Sequence, residues 1–232
     1  MKKILNHLAT DWYKYLLELI VITAGVLGAF ALNNWRDDRI DAKSEEYYME
    51  GLLNNLVSDS IKIIGTIDEL EQTIEQIDSV LLTISGVLNY DNNRINEHVF
   101  TLTSTFDYQQ NSITFDNLIN SDRIDLLDKE LKNLLFTYYA PGKQIEAWSE
   151  ASEHYARHIY APMLLREVNY IMSEGDENYM IDRSGDADFL HSKELLNSLK
   201  SKKFQATQQA RILAENELEE LQNLVAKIKS IR

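Results

Sequence analysis

Three polar side chains in the second half of the sequence have types and spacing that could bind a metal ion. Glu150, His154 and His158 follow one another at intervals of four residues, so a helix would place a carboxylate and two imidazoles on one face, where they could ligate a divalent metal. However, Tyr155 stands where the metallohydrolase motif HExxH has its catalytic glutamate. We therefore interpret the histidines as rim residues of an apolar helix face and predict no metal or other cofactor. A metal-dependent enzyme built on these three residues is kept as an alternative.

Glu18 is the second candidate for chemistry, because it is the one charged residue in the apolar run from Leu16 to Leu32. A carboxyl group inside a membrane is costly unless it is protonated, paired with a cation, or bonded to a polar group on a neighbouring helix. Lys14 lies one helical turn earlier and could pair with it. The alternative is a proton- or cation-coupled subunit of an oligomeric membrane complex in which Glu18 is the proton or cation site.

The element that would position Glu18 is a predicted transmembrane helix. The run from Leu16 to Leu32 has seventeen residues, which is about the shortest helix that spans the hydrocarbon core of a bilayer. Trp12 and Tyr15 precede the run and Trp35 follows it, as expected of aromatic side chains that anchor a helix at both membrane interfaces. We predict a single-pass helix whose first partner is the lipid bilayer.

A cleaved signal peptide is the main alternative for this segment. Lys2 and Lys3 supply a basic start, and the tripeptide at residues 29–31 resembles a small-residue cleavage site. Against cleavage stand the long leader, which contains Asp11, and the carboxyl of Glu18 inside the apolar run. The basic side chains on the two flanks are equal in number, and the terminal amine adds one charge to the first flank. Positive-inside counting therefore favours a cytoplasmic N-terminus and an extracytoplasmic body.

Small residues in the predicted anchor indicate self-association. Ala24 and Gly28 are four residues apart, as are Gly25 and Ala29, and this spacing lets two membrane helices approach closely. We therefore predict that the partner is a second copy of the chain or another membrane protein.

The composition excludes several classes of function. The 232 residues carry a formal net charge of -14, which argues against an extended phosphate-binding surface and therefore against nucleic acid as a partner. The absence of cysteine removes disulfides, thiolate zinc sites and thiol catalysis. No glycine-rich phosphate loop and no GxSxG nucleophile motif is found. We predict that the protein is not an enzyme.

The remaining sequence predicts an all-α fold. With only 2 prolines and 8 glycines, long helices are expected. The strongest periodicity is a seam of alternating four- and three-residue spacing, formed by Met49, Leu53, Leu56, Ile63, Ile67, Leu70, Ile74, Ile77, Leu81, Ile84 and Leu88, with Ser60 as its polar interruption. We predict an N-terminal transmembrane helix in residues 1–35 and, in residues 36–232, an acidic, elongated helical bundle with long coiled-coil-like helices, in which the first and last long helices pack together.

Three further segments carry more specific expectations. A helix from Gln144 is expected to pack through Ile145, Trp148, Tyr155 and Ile159 and to continue toward Ile171, and residues 173–188 are expected to form a solvated acidic loop. That loop fails as an EF-hand, because its glycine comes fourth rather than sixth and Lys193 stands where a bidentate glutamate is needed. A second heptad is expected at Ala214, Leu218, Leu221, Val225 and Ile228.

The stretch from Tyr15 to Trp35 resembles the signature of a bacterial family of single-pass membrane proteins of unknown function. The matching residues are Glu18, Gly25, Ala31, Leu32, Asn33, Asn34 and Trp35. A looser likeness covers residues 114–121 and 131–139, where the family usually has a Ser-Gly step and this chain has Ser121-Asp122; Leu19 also replaces an isoleucine. The resemblance implies a retained anchor in the bacterial inner membrane, a cytoplasmic N-terminus and a helical extracytoplasmic domain. It implies no activity.

Taken together, these observations predict a single-pass, membrane-anchored helical protein that acts as a protein-interaction, scaffold or sensor-like accessory subunit and associates with itself.

Overall fold

The computed structural model describes residues 2–88, 98–167, 169–172, 179–182 and 187–231, and it describes side chains for residues 12–88, 98–167 and 189–231. The chain divides into two compact units, Met1–Gly51 and Leu52–Arg232. The boundary predicted at residue 35 lies at the end of the predicted membrane segment, and it stays a prediction.

Helix α1, Lys2–Ile84, is the longest element. Neither of the two prolines falls within it, so no residue removes a backbone donor along its length. The helix ends in a Schellman motif at Gly86, which has φ +76, a left-handed conformation that glycine adopts without steric cost. The amide of Gly86 donates to the carbonyl of Thr83 and that of Val87 to the carbonyl of Leu82, each at 3.0 Å.

In the first unit, α1 carries an apolar stretch that is long enough to cross a membrane, and none of it is buried against the residues that the structure describes. Trp12, Leu17, Phe30 and Trp35 all expose more than half of their surface. The presence of one long apolar helix near the N-terminus is therefore confirmed, while its insertion into a membrane stays a prediction.

The second unit is built from short and long helices that follow α1 in chain order. They are α2 (Ile113–Asn120), α3 (Lys129–Tyr138), α4 (Gln144–Tyr155), α5 (Ala161–Glu167), α6 (Ala187–Leu190), α7 (Lys193–Ile212) and α8 (Leu218–Ile231). Single π-helical turns, Ala156–Tyr160 and Leu213–Glu217, join α4 to α5 and α7 to α8. Short 3-10 turns occupy Thr101–Thr103 and Ile124–Leu126.

Helices α2 and α3 are separated by a left-handed residue and a capping aspartate. Asp122 follows the end of α2 with φ 54, and the amide of Arg123 donates to the carbonyl of Leu118 at 3.0 Å. The N-cap of α3 is Asp128, whose carboxylate accepts from the amides of Glu130 and Leu131.

The all-α prediction is confirmed for the described residues, apart from one hairpin. Strands β1 (Asn169–Met172) and β2 (Tyr179–Asp182) pair antiparallel, with Asn169 opposite Asp182 and Met172 opposite Tyr179. The helix that we expected to continue toward Ile171 therefore ends at Glu167. Part of the predicted acidic loop forms β2, and residues 173–178 and 183–186 lie outside the described residues.

The buried face of α1 differs from the predicted seam at every second position. Its buried residues are Met49, Leu52, Leu56, Asp59, Ile63, Leu70, Thr73, Ile77 and Val80. Leu52 and Val80 take the places predicted for Leu53 and Leu81, because apolar residues occur at both neighbouring positions and periodicity alone does not choose between them. Because the buried face passes through Leu52 rather than Leu53, it also includes Asp59 in place of Ser60.

Helix α1 shares a core with α7, the helix that precedes the last one, and the packing of α1 against the last helix, α8, stays a prediction. Ile77 and Val80 of α1 belong to one apolar cluster with Leu195 and Leu199 of α7. At its edge the ammonium of Lys203 lies 2.6 Å from a carboxylate oxygen of Asp78. The predicted heptad of the C-terminal helix holds at Leu221 and Ile228, but Ala214 is exposed because the π-turn Leu213–Glu217 shifts the buried face.

Candidate binding cleft and the polar network beneath it

An irregular segment, residues 104–112, lies among the helices of the second unit and has no regular secondary structure. Side chains from several helices hold it by hydrogen bonds. Because buried polar groups must be satisfied, these contacts define where the segment lies. We call this stretch the 104–112 segment.

Asp59 of α1 holds the end of the 104–112 segment. Both of its carboxylate oxygens lie 3.0 Å from the amide nitrogen of Asn111, and the hydroxyl of Tyr138 donates to Oδ2 at 3.1 Å. The side chain is fully buried. Burial raises the pKa of Asp59 above its usual range, and the hydrogen bonds from Asn111 and Tyr138 oppose that rise.

Two tyrosines extend this network into the middle of the segment. The hydroxyls of Tyr108 and Tyr138 are 2.9 Å apart. Since Tyr138 gives its only proton to Asp59, Tyr108 is the donor in this pair. Burial raises the pKa of both tyrosines well above the usual value, so both hydroxyls stay protonated. The result is a directed chain of hydrogen bonds from Tyr108 through Tyr138 to the carboxylate of Asp59.

A buried ion pair continues the network on its other side. Gln110 donates to the carbonyl of Tyr138 at 2.7 Å and to Oε2 of Glu217 at 3.1 Å. The ammonium of Lys143 lies 2.8 Å from Glu217 and 2.6 Å from Glu220. Burial raises the pKa of Glu217, and the bond from Lys143 opposes the rise. The charge of Lys143 is thus already neutralised by two carboxylates.

Lys202 of α7 holds the start of the segment. Its side chain is buried, and its ammonium donates to the carbonyl of Ser104 and lies 3.4 Å from the hydroxyl of Ser152. The ring centroid of Phe106 is 5.7 Å from Nζ. Among the described residues no carboxylate pairs with this lysine, and burial lowers its pKa to about 8.

A cleft of about 660 Å³ opens between the 104–112 segment, α2 and α4. One wall contains the rings of Phe115 and Tyr139, which stack with centroids 4.7 Å apart and an interplanar angle of 15°. Phe106 and Tyr108 line it from the segment. Its carboxylates are Asp107, Asp116, Glu146, Glu150 and Glu153, and Lys143 is its one basic side chain among the described residues.

The carboxylates of the cleft differ in how far they are already bonded. Asp116 accepts from the hydroxyl of Ser112 at 2.6 Å, Glu146 from the amide of Gly142 at 2.9 Å, and Glu153 pairs with Arg157 at 2.5 Å. Asp107 and Glu150 have neither a hydrogen bond nor an ion pair within the part of the chain that the structure describes. These two carboxylates are therefore available to a ligand.

Glu150, His154 and His158, the ligands of the alternative metal-dependent enzyme, do not form a metal site among the described residues. His154 and His158 are exposed, with ring centroids 4.8 Å apart, and no group of three potential ligands occurs within the described residues. Glu150 instead lines the cleft. The prediction of which residues α4 and its continuation bury is also wrong in part.

Tyr155 and Ile159 are 37% and 41% exposed, while Ser152, Ala156 and Tyr160 are buried. Two features explain the difference. Ser152 occupies a core position beside Lys202, and the π-turn then shifts the buried face by one residue.

The predicted residues of the anchor are all on the surface of α1. Glu18, Ala24, Gly25, Gly28 and Ala29 are exposed, as are Trp12, Tyr15 and Trp35. A Cβ atom added at Gly25 or Gly28 would meet nothing within 4 Å. The small residues therefore leave an open surface on the helix. At the end of the apolar stretch, the guanidinium carbon of Arg39 lies 5.5 Å from the centroid of the Trp35 ring.

The buried network is the part of the site that sequence reasoning missed. Asp59 stands beside Ser60, which was placed in the seam, and Lys202 and Glu217 lie in ordinary charged helical sequence. No family model, no curated protein and no solved structure matches this chain. The resemblance to the single-pass membrane family accordingly stays a prediction.

Proposed function

We propose that this chain is a single-pass membrane-anchored protein whose helical domain serves as a sensor-like accessory subunit. In this proposal α1 tethers the chain to the bacterial inner membrane with its N-terminus in the cytoplasm, small residues of the anchor bring two copies together, and the cleft beside the 104–112 segment is the binding surface. The observation that carries the proposal is the apolar stretch of α1, which no other part of the described chain buries. Exposed apolar surface of this size is satisfied by lipid or by another helix.

Membrane attachment is tested by washing vesicles that contain the full chain with alkaline carbonate. Retention in the pellet supports the anchor, and release into the supernatant overturns it. Topology is tested in the same cells, because the chain has no cysteine of its own. Thr207→Cys should react with a membrane-impermeant maleimide in intact spheroplasts, and Lys3→Cys only after permeabilisation.

Self-association is tested by crosslinking the full chain in native membranes. Ala24→Leu combined with Gly28→Leu should abolish the dimer, because larger side chains keep two helices apart. Val26→Leu, on the opposite face of the helix, is the matched control and should leave the dimer unchanged. Equal dimer yields for the double variant and the control would remove self-association through these residues.

A further inference from the structure

We infer that the cleft beside the 104–112 segment binds an organic cation, a ligand with an ammonium or guanidinium group on an apolar body. The inference rests on the proposed function only in taking this cleft as the binding surface. It adds the chemical class of the ligand, which follows from the charge, the rings and the size of the cleft.

The charge of the cleft selects a cation. Five carboxylates line the cleft. The ammonium of Lys143, which also lines it, is paired with Glu217 and Glu220, two carboxylates that do not belong to the lining. A cleft lined by charges of one sign focuses the field and raises the local concentration of the opposite charge. An anionic ligand would meet uncompensated repulsion at this rim.

The rings of the cleft favour an organic cation over a hydrated metal ion. The stacked pair Phe115 and Tyr139 and the rings of Phe106 and Tyr108 line the cleft and offer apolar surface. An organic cation can pack its apolar body against aromatic rings while its charged group contacts a carboxylate, whereas a hydrated metal ion has no apolar body to bury. A metal ion would need several converging ligands, and the described residues contain no such group.

The two unpartnered carboxylates approach the cleft from different elements. Asp107 belongs to the 104–112 segment, and Glu150 belongs to α4. Neither has to give up a bond to the described residues before it binds a ligand, whereas Asp116, Glu146 and Glu153 already have donors. We therefore expect Asp107 and Glu150 to make the charged contacts with the bound cation.

The size of the cleft suits a small molecule. A volume of about 660 Å³ lies within the range of roughly 300–1,000 Å³ that is usual for small-molecule sites. The network beneath it fixes one wall, because Tyr108, which lines the cleft, is bonded to Tyr138. A preformed wall lowers the entropy cost of binding.

The test is a calorimetric titration of the full chain in nanodiscs of zwitterionic phosphatidylcholine, which has no net charge, with empty discs subtracted. The probe is phenethylamine, and phenethyl alcohol is its uncharged counterpart. The amine should bind at least ten times more tightly than the alcohol, and added salt should weaken the binding of the amine. Equal binding of the two probes, or no binding of the amine, overturns the inference.

The residues are tested with Asp107→Asn combined with Glu150→Gln, which should weaken amine binding at least tenfold and leave that of the alcohol unchanged. Glu215→Gln combined with Glu219→Gln, exposed carboxylates outside the cleft, is the matched control. Circular dichroism verifies that each variant folds. If the control weakens binding as much as the cleft variant, the effect is one of net charge and the inference fails. Carbonate washing of vesicles and crosslinking in native membranes, carried out with the same variants, report separately on the anchor and on self-association.

Discussion

The buried hydroxyl of Tyr138 is the most informative single group to remove. It bonds Asp59 at 3.1 Å and Tyr108 at 2.9 Å, and the side chain is fully buried. Tyr138→Phe deletes one oxygen and keeps the ring, so packing changes little. What changes is the chain of hydrogen bonds that fixes the 104–112 segment.

The expected loss of stability follows from the two bonds. A hydrogen bond to a charged group contributes about 1.5–3 kcal/mol, and a buried hydroxyl left without an acceptor, as Tyr108 would be, costs about 1–3 kcal/mol. The desolvation cost of the deleted hydroxyl, roughly 1–3 kcal/mol, is removed at the same time. We expect the free energy of unfolding to fall by about 2–3 kcal/mol.

The loss should depend on pH, with a sign that the structure fixes. The pKa of Asp59 is higher in the folded state than its unfolded value of 3.8, so the folded state binds the proton more tightly and stability falls as pH rises through that interval. The bond from Tyr138 opposes this rise in pKa. Without it the pKa of Asp59 rises further, so the deficit of the variant grows from acid to neutral pH.

The measurement is urea unfolding of the full chain in mild detergent, followed by the fluorescence of Trp148, with Trp12 and Trp35 replaced by phenylalanine in every sample. Tyr155→Phe, whose side chain is 37% exposed, is the control and should change stability by less than about 0.5 kcal/mol. Adding Tyr108→Phe to Tyr138→Phe should recover about 1 kcal/mol, because no orphaned hydroxyl then remains. A Tyr138→Phe variant as stable as the control at neutral pH refutes the network.

Three further substitutions test other parts of the chain. Because the folded pKa of Lys202 is about 8, below its usual 10.5, the folded state gains stability of about 1.5 kcal/mol as pH rises from roughly 8 to 9.5, and Lys202→Met should lack this gain in urea titrations at each pH. Asp122→Gly should raise the free energy of unfolding by about 0.5–1 kcal/mol, because glycine takes the left-handed conformation without cost; an unchanged or lower value contradicts that reason. Glu18→Gln should leave insertion intact, and only an anchor that conducts or couples protons would lose proton uptake by reconstituted vesicles.

The repeating features of this fold could be predicted from the sequence. The apolar stretch and the helix from Met49 onward both follow from apolar periodicity, which burial of side chains imposes. The positions that periodicity misplaced are those with two adjacent apolar residues, such as Leu52 and Leu53. The π-turns at residues 156–160 and 213–217 also lay beyond prediction, since one inserted residue per turn leaves no local signal.

The candidate site could not be predicted, because its residues lie far apart in the chain. Asp59 meets Asn111, and Lys143 meets Glu217, across long stretches of sequence with no motif between them. A charged residue in a helical sequence is predicted to be exposed to solvent unless its partner is known. Glu150 was selected for its spacing from two histidines, whereas the structure gives it a place in the cleft through its neighbours on other elements.

The way the 104–112 segment is held connects the buried network with binding. An apolar core would have stabilised the same helices without burying Asp59, Lys202 and Glu217, and buried charges of this kind are commonly neutral or unfavourable for stability. What hydrogen bonds add is direction, because a satisfied polar network allows one arrangement where apolar side chains allow several. In this chain the arrangement so fixed includes Tyr108, whose hydroxyl belongs to the network while the residue lines the cleft. The polar core therefore sets the position of the cleft wall and holds an irregular segment in one place inside an otherwise helical unit.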